Sequence, residues 1–224
     1  MAEPTYTRAN GAFRFIRGIG RGLFRALFKI RVEGLDRLPP NGGYVLTCNH
    51  IGWVDGILLL LFLPAEPRIH YLAASELTVT GPGPVRLLVK LVGGIIPVDR
   101  TSHKGDRQVV VQALKVLRGG GILGIFPEGR CGTEEGVVQP LKEGAANFAL
   151  KTGSPIQVIG LSGTVELYCR KRIHIRVGPL LTERDGESQE ELLSRLHAAL
   201  AENIPPLDPK QPKRKYMRWL THLI

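Results

Sequence analysis

Long apolar runs are missing from this chain. The longest, Ile57 to Leu63, falls far short of the ~20 residues that span a bilayer, so no transmembrane helix is expected. A secretory signal is missing too. Residues 1–10 are polar and the apolar stretch after them is broken by arginine every three or four residues, which leaves no signal-peptide core. Cysteine is scarce: Cys48, Cys131 and Cys169 are the only ones in 224 residues. An odd, widely spaced set makes neither a disulfide framework nor a metal cluster, so a reducing compartment and no bound metal are expected. Acidic residues are outnumbered, 20 against 30 Lys and Arg, for a net charge of +10. That excess implies a partner of opposite sign, whether nucleic acid, anionic lipid or an acidic carrier protein. Internal repeats, low-complexity tracts and a Gly-x-Ser-x-Gly nucleophile elbow are all absent.

What is present reads as one globular domain. Hydrophobic residues make up 43% and charged residues 22%, an ordinary composition for a chain of single-domain length. Short β-branched runs at Tyr44–Thr47, Ile69–Ala73, Ile95–Val98, Ile122–Phe126, Ile156–Leu161 and Ile173–Val177 alternate with helical stretches. The helices are expected at Gly56–Leu63, Val85–Val92, Asp106–Leu117, Ala145–Thr152 and Ser188–Glu202. Such alternation predicts an α/β fold with a largely parallel central sheet covered by helices on both faces.

Both ends are basic and amphipathic. From Ala12 to Arg31, the residues Arg14, Arg17, Arg21, Arg25 and Lys29 form a helical stripe, with Phe13, Ile16, Leu23, Phe24 and Leu27 largely opposite. This pattern fits a helix lying in a membrane interface, and equally a helix whose apolar side packs on the core while its arginines are solvated. The stretch Lys210–Ile224 interleaves Lys210, Lys213, Arg214, Lys215 and Arg218 with Tyr216, Trp219, Leu220 and Leu223, a chemistry suited to lipid headgroups or to RNA. The expected organisation is therefore an N-terminal interface helix over 1–31, an α/β domain over 32–204, and a Pro-rich linker with a basic helix over 205–224.

One pair stands out. His50 is followed five residues later by Asp55, just after the Tyr44–Thr47 strand. Residues five apart do not share one helix face, so the two meet only if a strand–turn–helix bends the chain between them. A carboxylate held against an imidazole makes a general base; the plainer reading is a turn histidine beside an acid capping a helix N-terminus. Further polar groups sit at strand ends, where α/β folds build their sites. These are Asp99-Arg100 after Gly94-Ile95-Ile96-Pro97-Val98, Glu128-Gly129-Arg130 after Phe126-Pro127, and the stretch Leu141-Lys142-Glu143-Gly144 to Ala149 that leads to the strand at Ile156.

Taken in order, Asn49-His50…Asp55, Gly94–Arg100, Phe126-Pro127-Glu128-Gly129 and Pro155-Ile156-Gln157-Val158 resemble the four blocks of the glycerolipid acyltransferase family, whose best-known members are the 1-acylglycerol-3-phosphate acyltransferases. The resemblance implies transfer of a fatty acyl group from acyl-CoA or acyl carrier protein, as co-substrate rather than cofactor, to a hydroxyl of a lysophospholipid. The foremost acceptor would be 1-acylglycerol-3-phosphate. It implies His50 as general base, Asp55 as its orienting carboxylate, and Arg100, Glu128, Gly129 and Arg130 around the acceptor, with no metal, no enzyme nucleophile and no nucleic acid. Cys48, two residues from His50, and Cys131 are accordingly expected to be a structural thiol and a loop thiol. The protein is expected to sit peripherally on anionic membrane, on its cytoplasmic side.

Three departures bear on the acceptor. Gly52 replaces the serine common in the first block, Ala74 stands where a lysine often precedes Glu-Leu, and Arg130-Cys131-Gly132 replaces Thr-Arg-Ser. Positive charge near an acceptor phosphate is thereby removed or displaced. Another lysolipid, an amino-acid lipid, or a membrane-binding role without turnover are the alternatives.

Overall fold

A computed structural model of the chain describes residues 6–75, 87, 90, 93–98, 107–207 and 214–222. The order is α1 (Gly11–Leu27), β1 (Lys29–Glu33), β2 (Tyr44–Cys48), α2 (Asp55–Phe62), β3 (Ile69–Ala74), β4 (Ile95–Val98), α3 (Arg107–Arg118), β5 (Ile122–Ile125), α4 (Gly144–Thr152), β6 (Ile156–Ser162), β7 (Arg172–Leu181) and α5 (Gln189–Asn203). Strands β2, β5 and β6 are buried throughout and, apart from Thr47, Gln157 and Ser162, apolar on both faces, which places them inside a covered parallel sheet. The sheet runs β1-β7-β6-β2-β5-β3-β4. All neighbours are parallel except β6 and β7.

Alternation along the strands divides the core into two layers. Tyr44, Leu46 and Cys48 of β2 join Leu58, Leu59 and Phe62 of α2 on one face. On the other, Val45 and Leu123 meet Ala113 and Val116 of α3, Ala145 and Ala149 of α4, and Leu192, Leu196 and Leu200 of α5. Helix α5 starts at a capping box, in which Ser188 accepts from the Glu191 amide and the Glu191 carboxylate accepts from Ser188. Its far end docks through Asn203, whose side chain donates to the Arg176 carbonyl at 3.0 Å.

The ends differ from expectation. The N-terminal helix stops at Leu27 rather than Arg31, because Phe28 turns extended and the β-branched Ile30 and Val32 pair with β7 as an added edge strand. At the C-terminus the described residues form a 3-10 turn, Arg218–His222, instead of a basic helix. Its Leu220 is buried in the same core layer as α2. Helix α1 docks through a mixed side: Phe13 is buried and Phe24 and Leu27 pack against the core, and arginines of the stripe join them there. Arg17 donates to the carbonyls of Leu60 and Leu63 at the C-terminal end of α2, and Arg21 and Arg25 lie over the Phe62 ring at 5.6 and 5.7 Å. Cationic groups are favoured at that negative helix end, so part of the arginine stripe serves as the docking face. Phe15, Ile19 and Leu23 are left 69%, 59% and 55% exposed. The expected Val85–Val92 helix lies, apart from residues 87 and 90, outside the described residues.

Close approach of α5 to the sheet depends on Gly160, where a Cβ would stand 2.1 Å from the Asn203 carbonyl oxygen. Gly160→Ala is expected to lower unfolding stability by about 1–3 kcal/mol or more, as overpacking against backbone does. Denaturant unfolding checks this, with an unchanged midpoint as the contrary result.

Candidate active site

Strands β2, β5 and β6 run side by side in one direction, so their C-terminal ends open together. His50 comes directly after β2, and Glu128 after β5. Asn49 anchors the exit from β2: its side-chain amide donates to the Leu161 carbonyl at 2.9 Å and accepts from the Leu161 amide at 2.8 Å. The side chain thus continues the β2–β6 pairing for one residue after the strand has ended, and His50 is released on the open side.

The turn to α2 closes on one carboxylate oxygen. Asp55 Oδ2 accepts from the amides of Ile51 at 2.6 Å and Gly52 at 2.8 Å, and lies 3.0 Å from His50 Nδ1. Asp55 is fully buried at the first position of α2 and does not cap that helix; the N-cap is Val54, which makes no side-chain cap bond. The carboxylate accepts from Nδ1–H, which leaves Nε2 as the basic nitrogen of the neutral ring. Gly52 accommodates the fold here, since a Cβ would lie 3.0 Å from the Thr164 carbonyl oxygen.

A second carboxylate clamps the main chain of the same residue. Glu128, 3% exposed, accepts from the His50 amide at 2.7 Å through Oε1 and from the Gln139 amide at 2.9 Å through Oε2. Gly132 then donates to the His50 carbonyl at 2.7 Å. Phe126 stacks on the imidazole, with centroids 4.1 Å apart and planes 22° off parallel, and Tyr71 stacks behind it at 5.8 Å. Position, tilt and tautomer of the ring are all determined by neighbours.

The free side of the ring faces sulfur: Cys131 Sγ lies 3.3 Å from Nε2. Burial pulls the imidazole down, but the hydrogen bonds to Asp55 and Cys131 and their charges outweigh it and push His50 from the ordinary 6.5 to about 9. Cys48 is a different thiol, 1% exposed, raised well above the ordinary range by burial and by the charges of Asp55 and Glu128. It is a core residue.

An imidazole oriented by a buried carboxylate, at the C-terminal edge of a parallel sheet, is equipped to take a proton from a hydroxyl or thiol. The Acyltransferase family model matches residues 29–162, more than half of the chain and the span that holds His50, Asp55, Glu128 and Cys131. The chain belongs to the acyltransferase family. The 1-acyl-sn-glycerol-3-phosphate acyltransferase of Bacillus subtilis (strain 168) is 31% identical over 81% of this chain and 89% of its own length. The protein of the same name from Borreliella burgdorferi is 31% identical over 71% of this chain and 64% of its own. The crystal structure of the 1-acyl-sn-glycerophosphate (LPA) acyltransferase PlsC from Thermotoga maritima has the same fold, with a TM-score of 0.69 at 20% identity over 86% of this chain and 78% of that one.

The other expected site residues of this acyltransferase lie on or near the Glu128 turn, with one exception. Gly129 has φ +69°, and Lys142 crosses it so closely that a Cβ would meet Cε at 2.6 Å. The Lys142 ammonium therefore stands at the Glu128–Gly129 turn, 3.0 Å from where that Cβ would be. Sequence reasoning assigns Lys142 no role; its one signal is a lysine preceding Glu143-Gly144 on the way into a helix. Arg130 is exposed. The exception is Arg100, which lies outside the described residues. A cavity of about 210 Å³ lined by Tyr44, Ile69 and Ile122 opens at the opposite ends of these strands from His50.

With both Glu128 oxygens on amides, Glu128→Gln turns one acceptor into a donor facing an N–H. The expected outcome is a loss of about 1–3 kcal/mol in unfolding stability and a fall in kcat with the acceptor KM little changed. A rise in acceptor KM alone would mean that the carboxylate binds substrate instead.

Proposed function

We propose that this acyltransferase moves a fatty acyl group from an acyl-CoA or acyl-carrier-protein thioester to the free hydroxyl of a lysophospholipid, foremost 1-acylglycerol-3-phosphate, at a membrane surface in phospholipid synthesis. The observation that carries the reading is the Asp55-held imidazole with Nε2 turned away from the carboxylate. His50 takes the acceptor hydroxyl proton through Nε2 while the oxygen attacks the thioester carbonyl. Asp55 stabilises the imidazolium, which then protonates the departing thiolate. The Cys131 thiol, 3.3 Å from Nε2, moves aside before a hydroxyl reaches the base.

The names and lengths of the Bacillus and Borreliella relatives support a lysophosphatidate-type acceptor. For its phosphate, Arg100 is the residue that the family pattern supplies, and Lys142 adds a cation at the third-block turn. Guanidinium and ammonium groups would hold the phosphate at one end and leave the hydroxyl at the base.

Membrane contact is supported by the outward side of α1. Among the described residues no helix is long and apolar enough to cross a membrane, yet Phe15, Ile19 and Leu23 stand one turn apart and exposed, as do Tyr216 and Trp219 beside the C-terminal turn. Apolar side chains at helical spacing and interfacial aromatics above a basic protein suit a peripheral position on the anionic, cytoplasmic side.

Purified protein incubated with an acyl thioester and a panel of lysolipids tests the chemistry. Wild type is expected to acylate a phosphate-bearing lysolipid, His50→Ala to lose at least about 100-fold in rate, and Arg100→Ala to raise the KM for phosphate-bearing acceptors. Equal rates in the His50→Ala protein would remove the general base, and preference for a phosphate-free or amino-acid lipid would replace the acceptor. For the surface, Phe15→Ser/Ile19→Ser/Leu23→Ser is expected to weaken sedimentation with anionic liposomes by roughly ten-fold or more. Unchanged partitioning would place the contact elsewhere.

A further inference from the structure

The edge of the sheet farthest from β4 carries a row of cations that the reaction at His50 does not use. Strands β1 and β7 pair in parallel, with Lys29 beside Arg172, Arg31 beside His174 and Glu33 beside Arg176. Their alternate residues Ile30, Val32, Ile173 and Ile175 pack into the core layer that holds α2 and receives Phe24 and Leu27 of α1. Side chains alternate across a strand, so the row points to the other side of the sheet. Lys29, Arg31 and Arg172 are exposed, and His174 and Arg176 are half-buried. Glu33 is the single acid among these six, and its carboxylate ties the row together by pairing with Arg31, with His174 at 3.0 Å and with Arg176 at 3.5 Å. Even with His174 neutral, the face keeps a surplus of positive charge. The row also starts at the catalytic edge. Ser162, the last residue of β6, lies across from His174, and a Cβ on the following Gly163 would stand 2.1 Å from the Arg172 carbonyl oxygen. Arg172 and Lys29 are therefore level with the strand ends from which His50 emerges. With one strand between β7 and β2, and strands about 4.8 Å apart, β7 and β1 stand roughly 10 and 14 Å to the side of the strand that leads into His50.

We propose that this row on β1 and β7 is the docking face for an acidic acyl-carrier protein that delivers the acyl thioester to His50. The inference rests on the proposed acyl transfer and selects the donor within it. Such a carrier presents its acyl group on a phosphopantetheine arm about as long as four or five residues of extended chain, roughly 15 Å. An arm of that reach spans from cations beside the active site to the base. The spacing of the row favours a protein over a nucleotide. Along a strand, residues on one face recur about every 6.6 Å, close to the ~5–6 Å between side chains one turn apart on a helix. A helix with acids along one side therefore meets Lys29, Arg31 and the arginines of β7 in series. The phosphates of coenzyme A are grouped on one nucleotide and do not cover a row that runs the length of β1. An anionic membrane would also attract cations, but Phe15, Ile19 and Leu23, the side chains suited to insertion, are exposed on α1, which packs on the opposite layer. Cations on an edge strand also discourage pairing with another chain, a role that would not depend on the donor.

The test compares two donors bearing the same acyl chain, acyl-carrier protein and acyl-CoA, using the full chain and a phosphate-bearing lysolipid. Lys29→Glu/Arg31→Glu is expected to raise the KM for acyl-carrier protein roughly ten-fold or more and to leave the kinetics with acyl-CoA unchanged. In wild type the carrier KM should climb with ionic strength, and in the variant it should hardly move. Titration of acyl-carrier protein against each protein without acceptor, read as a Kd, should show the same loss. An equal rise in KM for both donors overturns the docking face, as does an unchanged carrier KM and Kd in the variant, or a wild type that accepts only acyl-CoA. Weakened sedimentation of the variant with anionic liposomes, with carrier kinetics intact, would assign the row to the membrane instead. Carrier binding that the variant loses, with no transfer to any lysolipid, would keep the docking face and remove the proposed function.

Discussion

Oδ2 of Asp55 gathers three N–H groups of one loop: the His50 ring and the main chain of Ile51 and Gly52. In a fully buried position a carboxylate is stabilised by hydrogen bonds; here they all converge on Oδ2, with Oδ1 left unpartnered, and the groups that make them are those that need orienting. The same interaction bends the chain from strand to helix, sets the tautomer of the imidazole, and gives the protonated ring a counter-charge. Remove it and the turn, the ring and the charge lose their common partner together.

Around that oxygen the sheet supplies the rest. Because β2, β5 and β6 are parallel and adjacent, the loops leaving their C-terminal ends emerge at one edge. Asn49 commits its amide to β6, Glu128 reaches back from the end of β5 to the His50 amide, and Gly132 closes on the His50 carbonyl. Both main-chain polar groups of His50 are thus held by the loop after β5, while its ring is held by α2. The His50 imidazole is located by three elements distant in sequence, and the sulfur of Cys131 reaches it along the second of them.

The arginines of α1 show how a partner changes the meaning of a pattern. An amphipathic helix is conventionally read with its apolar side inward. Yet α2 ends against α1 with carbonyls and a phenylalanine ring facing it, and a guanidinium satisfies both. Arg17, Arg21 and Arg25 therefore join Phe13, Phe24 and Leu27 in the dock, and the apolar Phe15, Ile19 and Leu23 are turned out.

The strands and most helices are legible in the sequence because β-branched runs and 3.6-residue spacing are local signals, and so is the His50–Asp55 pair, whose spacing demands a turn. Less local features are not legible. Strand β1 reads as the tail of a helix, since its only support is pairing with β7, far along the chain. Glu128 reads as facing substrate, while its carboxylate is committed to amides of His50 and Gln139. Cys131 reads as a loop thiol, because nothing short of the main-chain bonds around His50 tells which loop lies over the ring. The sequence by itself determined the chemistry available, a histidine with a carboxylate at the exit of a strand in an α/β domain of the acyltransferase type. Only the tertiary structure decided which group meets which nitrogen, because contacts between strand ends depend on sheet order, and sheet order is a property of the whole chain.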